Sequence, residues 1–213
     1  MKEKRWILRK DYDIEVVEKL ADSLGVDKIL ATLLVERGVT TFDEAKRFFR
    51  PGLDQLHDPF LMKDMDRAVA RINDAIRKKE RMLIYGDYDV DGTSAVALVY
   101  SYFHTLHYNI DFYIPDRDTE GYGISFQGID YARNTGVKLI IALDCGIKAV
   151  EQVEYANQFG IDIIVGDHHL PGDVLPPCCA VLDPNVPTVP IPIRSSPAAA
   201  LASKSSRPIW NRR

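Results

Sequence analysis

Residues 81–97 read RMLIYGDYDVDGTSAVA, and the rest of the chain is organised around them. Met82, Leu83, Ile84 and Tyr85 form a short apolar run, the pattern of a buried strand. Gly86 closes the run, and Asp87, Asp89 and Asp91 follow at alternate positions before Gly92. Thr93 and Ser94 have N-cap chemistry, so a helix is predicted to start there and to continue through Ala95, Val96, Leu98 and Val99. Three carboxylates at one strand-to-helix turn repel one another, and burying them uncompensated is costly. A divalent cation is the simplest relief.

Three liganded readings compete with a plain solvated turn. Asp87, Asp89, Asp91 and Gly92 have the spacing of the first half of an EF-hand calcium loop. That loop requires Glu at its twelfth position, where this chain has Leu98, and a helix where this chain has a strand. Asp89-Val90-Asp91-Gly92-Thr93 has the DxDGT form of haloacid-dehalogenase-like phosphatases. There the apolar strand runs directly into the first Asp, whereas Gly86, Asp87 and Tyr88 intervene here. The third reading is a two-metal phosphoesterase, which needs further carboxylates and imidazoles elsewhere in the chain.

The 213 residues are 46% hydrophobic, enough for one sizeable α/β domain and a small appendage. A formal net charge of -4 provides no global positive field for nucleic acid, so a polyanion must be held by local cations. Cys145 and the neighbours Cys178 and Cys179 make neither a disulfide framework nor a zinc finger. The opening MKEKRWILRKDYD lacks the apolar core of a signal peptide, and no apolar run approaches transmembrane length. A cytoplasmic protein with no membrane association is expected.

Residues 1–60 read as a small helical segment. Val16, Val17, Leu20, Ala21 and Leu24 share one helical face that Gly25 stops, and Ile29, Leu30, Leu33 and Leu34 mark a second helix ending near Gly38. Thr41 with Glu44 has capping-box spacing for a third, Phe42 to Phe49, closed by Pro51-Gly52. His57 stands alone in a loop-like stretch and reads as structural. An amphipathic helix follows from about Asp64 to Glu80, with Met65, Val69, Ile72 and Ile76 on one face. Arg67, Arg71, Arg77, Lys78 and Lys79 lie mostly off that face, as a solvated surface with cations near the helix C-terminus or as a phosphate contact.

Beyond the aspartate turn, strands are predicted at 110–114, 138–143, 161–165 and 180–182, with helices at 124–134 and 147–159. Strands separated by helices imply right-handed crossovers, so residues 61–187 are expected to form an α/β domain with a mostly parallel sheet flanked by helices. Polar clusters fall just past each strand. Asp116, Arg117, Asp118 and Glu120 follow the second, Asp144 the third, Asp167, His168 and His169 the fourth, and Asp183 the last. Open α/β sheets bind ligands at those carboxyl ends.

Asp144 alone reads as a cap for the next turn. Adjacent His168 and His169 on extended backbone point in different directions, so one can face a metal while the other faces substrate. Carboxylates with an imidazole suit Mn²⁺ better than Mg²⁺, and two such ions ~3.5–4 Å apart would serve phosphoryl chemistry. Arg117 can hold a phosphate bidentately, or it can pair with Asp116, Asp118 or Glu120.

Asp167-His168-His169 resembles the signature of the DHH phosphoesterase superfamily. GDYDVDGTSA, IPDRDTEGYGIS, IIALDCGIKA, IIVGDHHLPG and AVLDPN, with ERGVTTFDEAKRFFRP and LHDPFLMKDMDRAVARINDAI before them, resemble its RecJ branch of single-stranded-DNA exonucleases over about residues 15 to 187. The resemblance implies a DHH-type α/β fold and two divalent metal ions. Asp87 and Asp89 would hold one ion, Asp91 and His168 the other, and Asp144 would bridge them. His169 would act as the catalytic group on the phosphate or leaving group, and Arg117 would bind phosphate near the DNA 5′ end. It further implies 5′ to 3′ degradation of single-stranded DNA in recombination and repair, with a repair helicase or single-strand-binding protein as partner. The alternatives are a small-substrate DHH phosphoesterase acting on dinucleotides or pyrophosphate, and a non-catalytic metal- and partner-binding module.

The match fades after Pro187. Residues 188–213, ending in SSRPIWNRR, contain no acidic residue and no sustained period, and are expected to be disordered or out of frame. The family's later metal-binding Asp and second domain are not reached, so the 213 residues are expected to be a truncated, inactive form.

Overall fold

The structure, a computed structural model, describes residues 12–52, 58–106 and 109–186. The chain divides into two compact units, residues 1–57 and 58–213. His57 and the tail from 188 onward lie outside the described residues.

In the first unit, α1 (Ile14–Leu24), α2 (Lys28–Val35) and α3 (Phe42–Phe49) close over Val17, Leu20, Ala21, Ala31, Leu34, Val39 and Ala45. Local chemistry sets their ends. Asp13 and Asp27 accept the N–H of Glu15 and Ile29, and Gly25 ends α1 at φ 65°. Thr41 and Glu44 form the reciprocal capping box that opens α3.

The second unit runs α4 (Met65–Lys78), β1 (Arg81–Gly86), α5 (Val90–Leu106), β2 (Ile110–Tyr113), α6 (Phe126–Asn134), β3 (Val137–Leu143), α7 (Val150–Gln158), β4 (Asp162–Gly166) and β5 (Ala180–Leu182). The five strands are parallel in the order β2-β1-β3-β4-β5. Ile84 of β1 is in register with Ile141 of β3, and Ile141 with Ile164 of β4.

Side-chain alternation then builds two cores. Met82, Ile84, Leu139, Ile141 and Leu143 pack with Met65, Ala68 and Ile72 of α4 and Val96, Val99 and Phe103 of α5. Leu83, Tyr85, Ile140, Ala142, Ile163 and Val165 pack on the opposite face with Ile129 and Ala132 of α6 and Val153 and Ala156 of α7. Both sheet faces are covered, which is why the strands read as continuous apolar runs rather than alternating ones. The strand order reverses between β1 and β3, so the loops leaving their carboxyl ends part at this point and leave a crevice.

Two helix starts lie three residues from the sequence expectation. Helix α5 begins at Val90 rather than at Thr93, because Asp89 serves as the cap. Its carboxylate accepts the Gly92 N–H at 2.8 Å, and the Thr93 hydroxyl turns back onto the Asp89 carbonyl. Helix α7 begins at Val150 rather than at Ile147, because Gly146 adopts φ 105° and the Ile147 N–H is given to Asp167. A Cβ on Gly146 would lie 2.9 Å from Ile124 Cδ1, so this bend requires glycine.

The cations of α4 are used within the fold. Arg71 reaches Asp162 at 2.6 Å and Glu80 at 2.7 Å, Arg67 reaches Asp64, and Arg77 and Lys78 share Asp74. Among the described residues no helix is long and apolar enough to cross a membrane.

Candidate metal centre

The loop after β1 is wound tightly around the buried Asp87. Its carboxylate accepts backbone N–H groups from Tyr88, Gly123 and Asp89, while burial pushes its pKa up against those bonds. A Cβ on Gly92 would lie 2.7 Å from the Asp87 backbone nitrogen, so glycine is what lets α5 start directly against that turn. Asp89 is exposed at the mouth of the turn, and Asp91 is half-buried on the first turn of α5.

Asp144 stands on the neighbouring loop in the left-handed region, at φ 62°, its N–H donated to the Gly166 carbonyl at 2.9 Å. Strain of this kind in a non-glycine residue persists only where the surroundings hold it, and it clusters at functional sites. The side chain is buried, and burial pushes its pKa up to about 7, helped by the charge of Asp89 and a side-chain hydrogen bond with it. A buried carboxyl destabilised by a neighbouring carboxylate marks a position where a cation would be favoured.

The loop after β4 supplies the imidazoles. His168 Nε2 lies 3.1 Å from Asp144 Oδ1, although the approach is not aligned as a hydrogen bond and leaves that buried oxygen without one. Ligand atoms of Asp144, His168 and His169 lie within 4.8 Å of one another. The two imidazole rings are 4.6 Å apart, centre to centre, and tilted by 41°.

Asp167 holds this loop in place. Its Oδ1 accepts the backbone N–H of His168 at 2.7 Å and of His169 at 3.1 Å, and pairs with His169 Nδ1 at 2.7 Å. Its Oδ2 accepts the Ile147 N–H at 3.0 Å, tying the β4 loop to the β3 loop. Burial disfavours the His169 cation, but the hydrogen bond and charge of Asp167 outweigh it and raise the pKa. The Asn185 amide donates to the His168 carbonyl, and Asp183 Oδ1 accepts the Asn185 N–H at 2.7 Å. Burial raises the Asp183 carboxyl to about 6. The Tyr122 hydroxyl donates to the Asp144 carbonyl at 3.1 Å and lies 3.3 Å from His169 Nδ1.

Arg117 lies exposed after β2, its guanidinium 5.4 Å from the centre of the Tyr88 ring. Two of its nearby carboxylates, those of Asp116 and Glu120, are otherwise engaged. Asp116 accepts from Asp118 and Thr119, and Glu120 from Tyr113, Ser125 and the Asp116 N–H. Among the described residues no carboxylate pairs with Arg117, so the ion-pair alternative does not form.

Of the residues singled out in the sequence, Asp89, Asp144, His168 and His169 converge. Asp87 lies beside them with its carboxylate turned into the loop, and the Asp91 side chain makes no hydrogen bond or ion pair among the described residues. Asp167, Tyr122 and Asn185 were given no role from the sequence, yet they position the imidazoles. Asp167 carries a local signal, an Asp at the end of an apolar strand directly before two histidines. Tyr122 carries none, because it reaches His169 across 47 residues of chain.

The donor set fits a divalent cation. Asp87 Oδ1, Asp144 Oδ1 and Asp183 Oδ2 are buried oxygens with no hydrogen-bond partner, a costly arrangement that a cation relieves. Carboxylate oxygens with an imidazole nitrogen form a borderline donor set that suits Mn²⁺.

Comparison with known proteins agrees with this geometry. Residues 81–205 match the model of the DHH family, N-terminal domain. The single-stranded-DNA-specific exonuclease RecJ of Bacillus subtilis is 37% identical over 94% of this chain, which spans 25% of that relative's length. A crystal structure of exonuclease RecJ bound to manganese superposes with a TM-score of 0.64 at 28% identity, covering 70% of this chain and 37% of its own. RecJ from Thermus thermophilus in complex with Mn²⁺ shares the fold, with a TM-score of 0.69 at 23% identity over 92% of this chain and 27% of its own. The fold is therefore a known one, and the chain belongs to the DHH family.

Proposed function

We propose that this chain carries the metal-binding site of a single-stranded-DNA-specific exonuclease working 5′ to 3′ in recombination and repair. The observation that carries the proposal is the convergence of Asp144, His168 and His169 within 4.8 Å, with the buried Asp144 Oδ1 left without a hydrogen bond. The likeness to RecJ along 94% of the chain supports the substrate class. The catalytic unit is assigned to residues 61–187, with 1–60 as a helical appendage and 188–213 as a tail.

Asp87 and Asp89 are assigned to one ion, Asp91 and His168 to the other, and Asp144 to both. Of these, Asp89, Asp144 and His168 have the stronger geometric support. Mn²⁺ is favoured because imidazole is in the donor set, with Mg²⁺ as substitute. When bound, the ions supply Lewis acidity at the scissile phosphate and lower the pKa of the attacking water.

The protein's own groups do the rest. Asp167 engages His169 Nδ1 at 2.7 Å, and Nε2, which the Tyr122 hydroxyl approaches to 3.4 Å, is assigned to substrate. The raised pKa of His169 keeps a proton available for the leaving oxygen. Arg117, with no carboxylate partner among the described residues, is assigned to a phosphate near the 5′ end. The cellular setting is assigned to the cytoplasm, and the protein partner to a repair helicase or a single-strand-binding protein.

The test is turnover of 5′- and 3′-labelled single strands, a dinucleotide and pyrophosphate, with Mn²⁺ or with chelator. It is run on the 213 residues and on a fusion supplying the remainder of the Bacillus subtilis relative. Mn²⁺-dependent shortening from the 5′ end supports the proposal. Turnover of the dinucleotide or pyrophosphate alone supports a small-substrate phosphoesterase, and metal binding without turnover of any supports a binding module.

A further inference from the structure

Beside His169, away from Asp144, lies a cavity of about 220 Å³ that the metal chemistry does not use. Ile124, Ile147 and Ala149 form apolar walls, while Tyr122, Lys148, Gln152, Asp167 and His169 supply polar groups. Gln152 is half-buried on the first turn of α7, and its amide makes no hydrogen bond among the described residues. Lys148 is exposed and makes no ion pair among them. An amide at an apolar recess with nothing to bond, together with a free ammonium, is the composition of a small-molecule subsite.

Size and chemistry narrow the occupant. The cavity equals about seven waters at ~30 Å³ each, and it falls short of the ~300 Å³ at which drug-sized pockets begin. The cavity cannot hold a whole dinucleotide, and it leaves room for one planar ring system. Apolar walls are wrong for a phosphate, which would lose its hydration without enough donors in return. They are right for the faces of a nucleobase, whose edge needs the donor and acceptor that one amide offers together.

We infer that this cavity is a nucleobase subsite. It receives the base of the nucleotide whose phosphate lies at His169, Gln152 bonds the base edge, and Lys148 meets an adjoining phosphate. The inference rests on the phosphodiester reading of the site, and it adds the part of the substrate that the metal centre does not contact. A single amide that can present either its donor or its acceptor can bond the edge of any of the four bases.

The test separates this subsite from the exonuclease reading by measuring binding rather than turnover. Calorimetry compares dAMP and dTMP with deoxyribose 5-phosphate, which has the phosphate and sugar but no base, on wild type, Gln152→Ala, Gln152→Trp and Lys148→Ala. Wild type is expected to bind both nucleotides at least ten-fold tighter than the base-free sugar phosphate. Gln152→Trp, which fills the cavity, should erase that difference, and Gln152→Ala should reduce it several-fold. Lys148→Ala should weaken all three ligands alike. Mn²⁺ binding by the three variants should match wild type, which shows that the fold is intact. Equal binding of nucleotide and base-free ligand by wild type, or a preference that survives Gln152→Trp, would overturn the subsite even if the chain degrades single strands. A base preference lost in Gln152→Trp would establish it even if it does not.

Discussion

Asp167→Asn changes one buried atom and asks whether that carboxylate organises the site. Both oxygens of Asp167 are used as acceptors. One takes the backbone N–H groups of His168 and His169 and pairs with His169 Nδ1, and the other takes the Ile147 N–H. Asparagine has a single acceptor oxygen. If it stays with the histidines, its NH₂ group faces the Ile147 N–H, donor against donor, at a position held at 3.0 Å in the wild type. One buried unsatisfied N–H costs about 1–3 kcal/mol. If the amide flips, Ile147 keeps its partner but His168 and His169 both lose theirs, so the cost is larger. Either way at least ~1 kcal/mol is lost from a total of about 5–15 kcal/mol. Urea unfolding should show a lower midpoint at unchanged slope, and an NMR pH titration should show the His169 pKa falling as the Asp167 charge is removed. His169→Ala is the control. It keeps both backbone N–H bonds to Asp167 and removes only the Nδ1 contact, so it should cost less than Asp167→Asn. An unaltered midpoint together with an unaltered His169 titration in Asp167→Asn would refute the reasoning.

Tyr85→Phe should cost about 1–3 kcal/mol in the same unfolding assay, because the buried hydroxyl donates to the Gly123 carbonyl and accepts the Ser125 N–H, each at 3.0 Å; a neutral substitution would contradict this. Burial raises Asp144 to about 7 and Asp183 to about 6, so between the usual carboxylate value near ~4 and these values the metal-free folded chain binds more protons than the unfolded one. Metal-free stability should therefore fall as pH rises from about 4 to 7, and Asp144→Asn should flatten the fall; melting curves across that window check the sign. Arg117→Ala should leave the melting temperature unchanged while weakening binding of a 5′-phosphorylated single strand by up to ~3 kcal/mol, the range for a charge-assisted contact. A large loss of stability with unchanged binding would assign Arg117 to bracing the fold.

The sheet was legible because both its faces are covered. Met82 to Tyr85, Leu139 to Leu143 and Ile163 to Val165 are unbroken apolar runs, and each ends where the polarity changes abruptly. Asp144, His168 and His169 could be placed together without coordinates, since carboxyl ends of parallel strands share one edge. The start of α5 was not legible, because Asp89 is at once a ligand candidate and a cap, and Thr93-Ser94 offers competing cap chemistry one turn later in the chain. The fate of Arg117 was not legible either. Asp116 and Glu120 are consumed by local backbone and hydroxyl donors, which sequence spacing does not reveal. Asp167 and Tyr122 act through closure of the β3 and β4 loops on each other and on the residues after β2, a tertiary event with no periodic signature.

The claim at the centre is that Asp144 and His168 form a divalent cation site, and calorimetric titration with Mn²⁺ tests it most directly. Wild type, Asp144→Asn, His168→Ala and the exposed-surface variant Lys28→Ala of the N-terminal unit are titrated at pH 7 in two buffers of different ionisation enthalpy. Wild type and Lys28→Ala should bind Mn²⁺ with release of protons, since the carboxyl of Asp144 is raised to about 7 by burial and Asp89 and must ionise to bind. Asp144→Asn should lose the proton release and at least ten-fold in affinity, and His168→Ala at least ten-fold in affinity. Mn²⁺ affinity and proton release unchanged in both site variants would contradict the assignment.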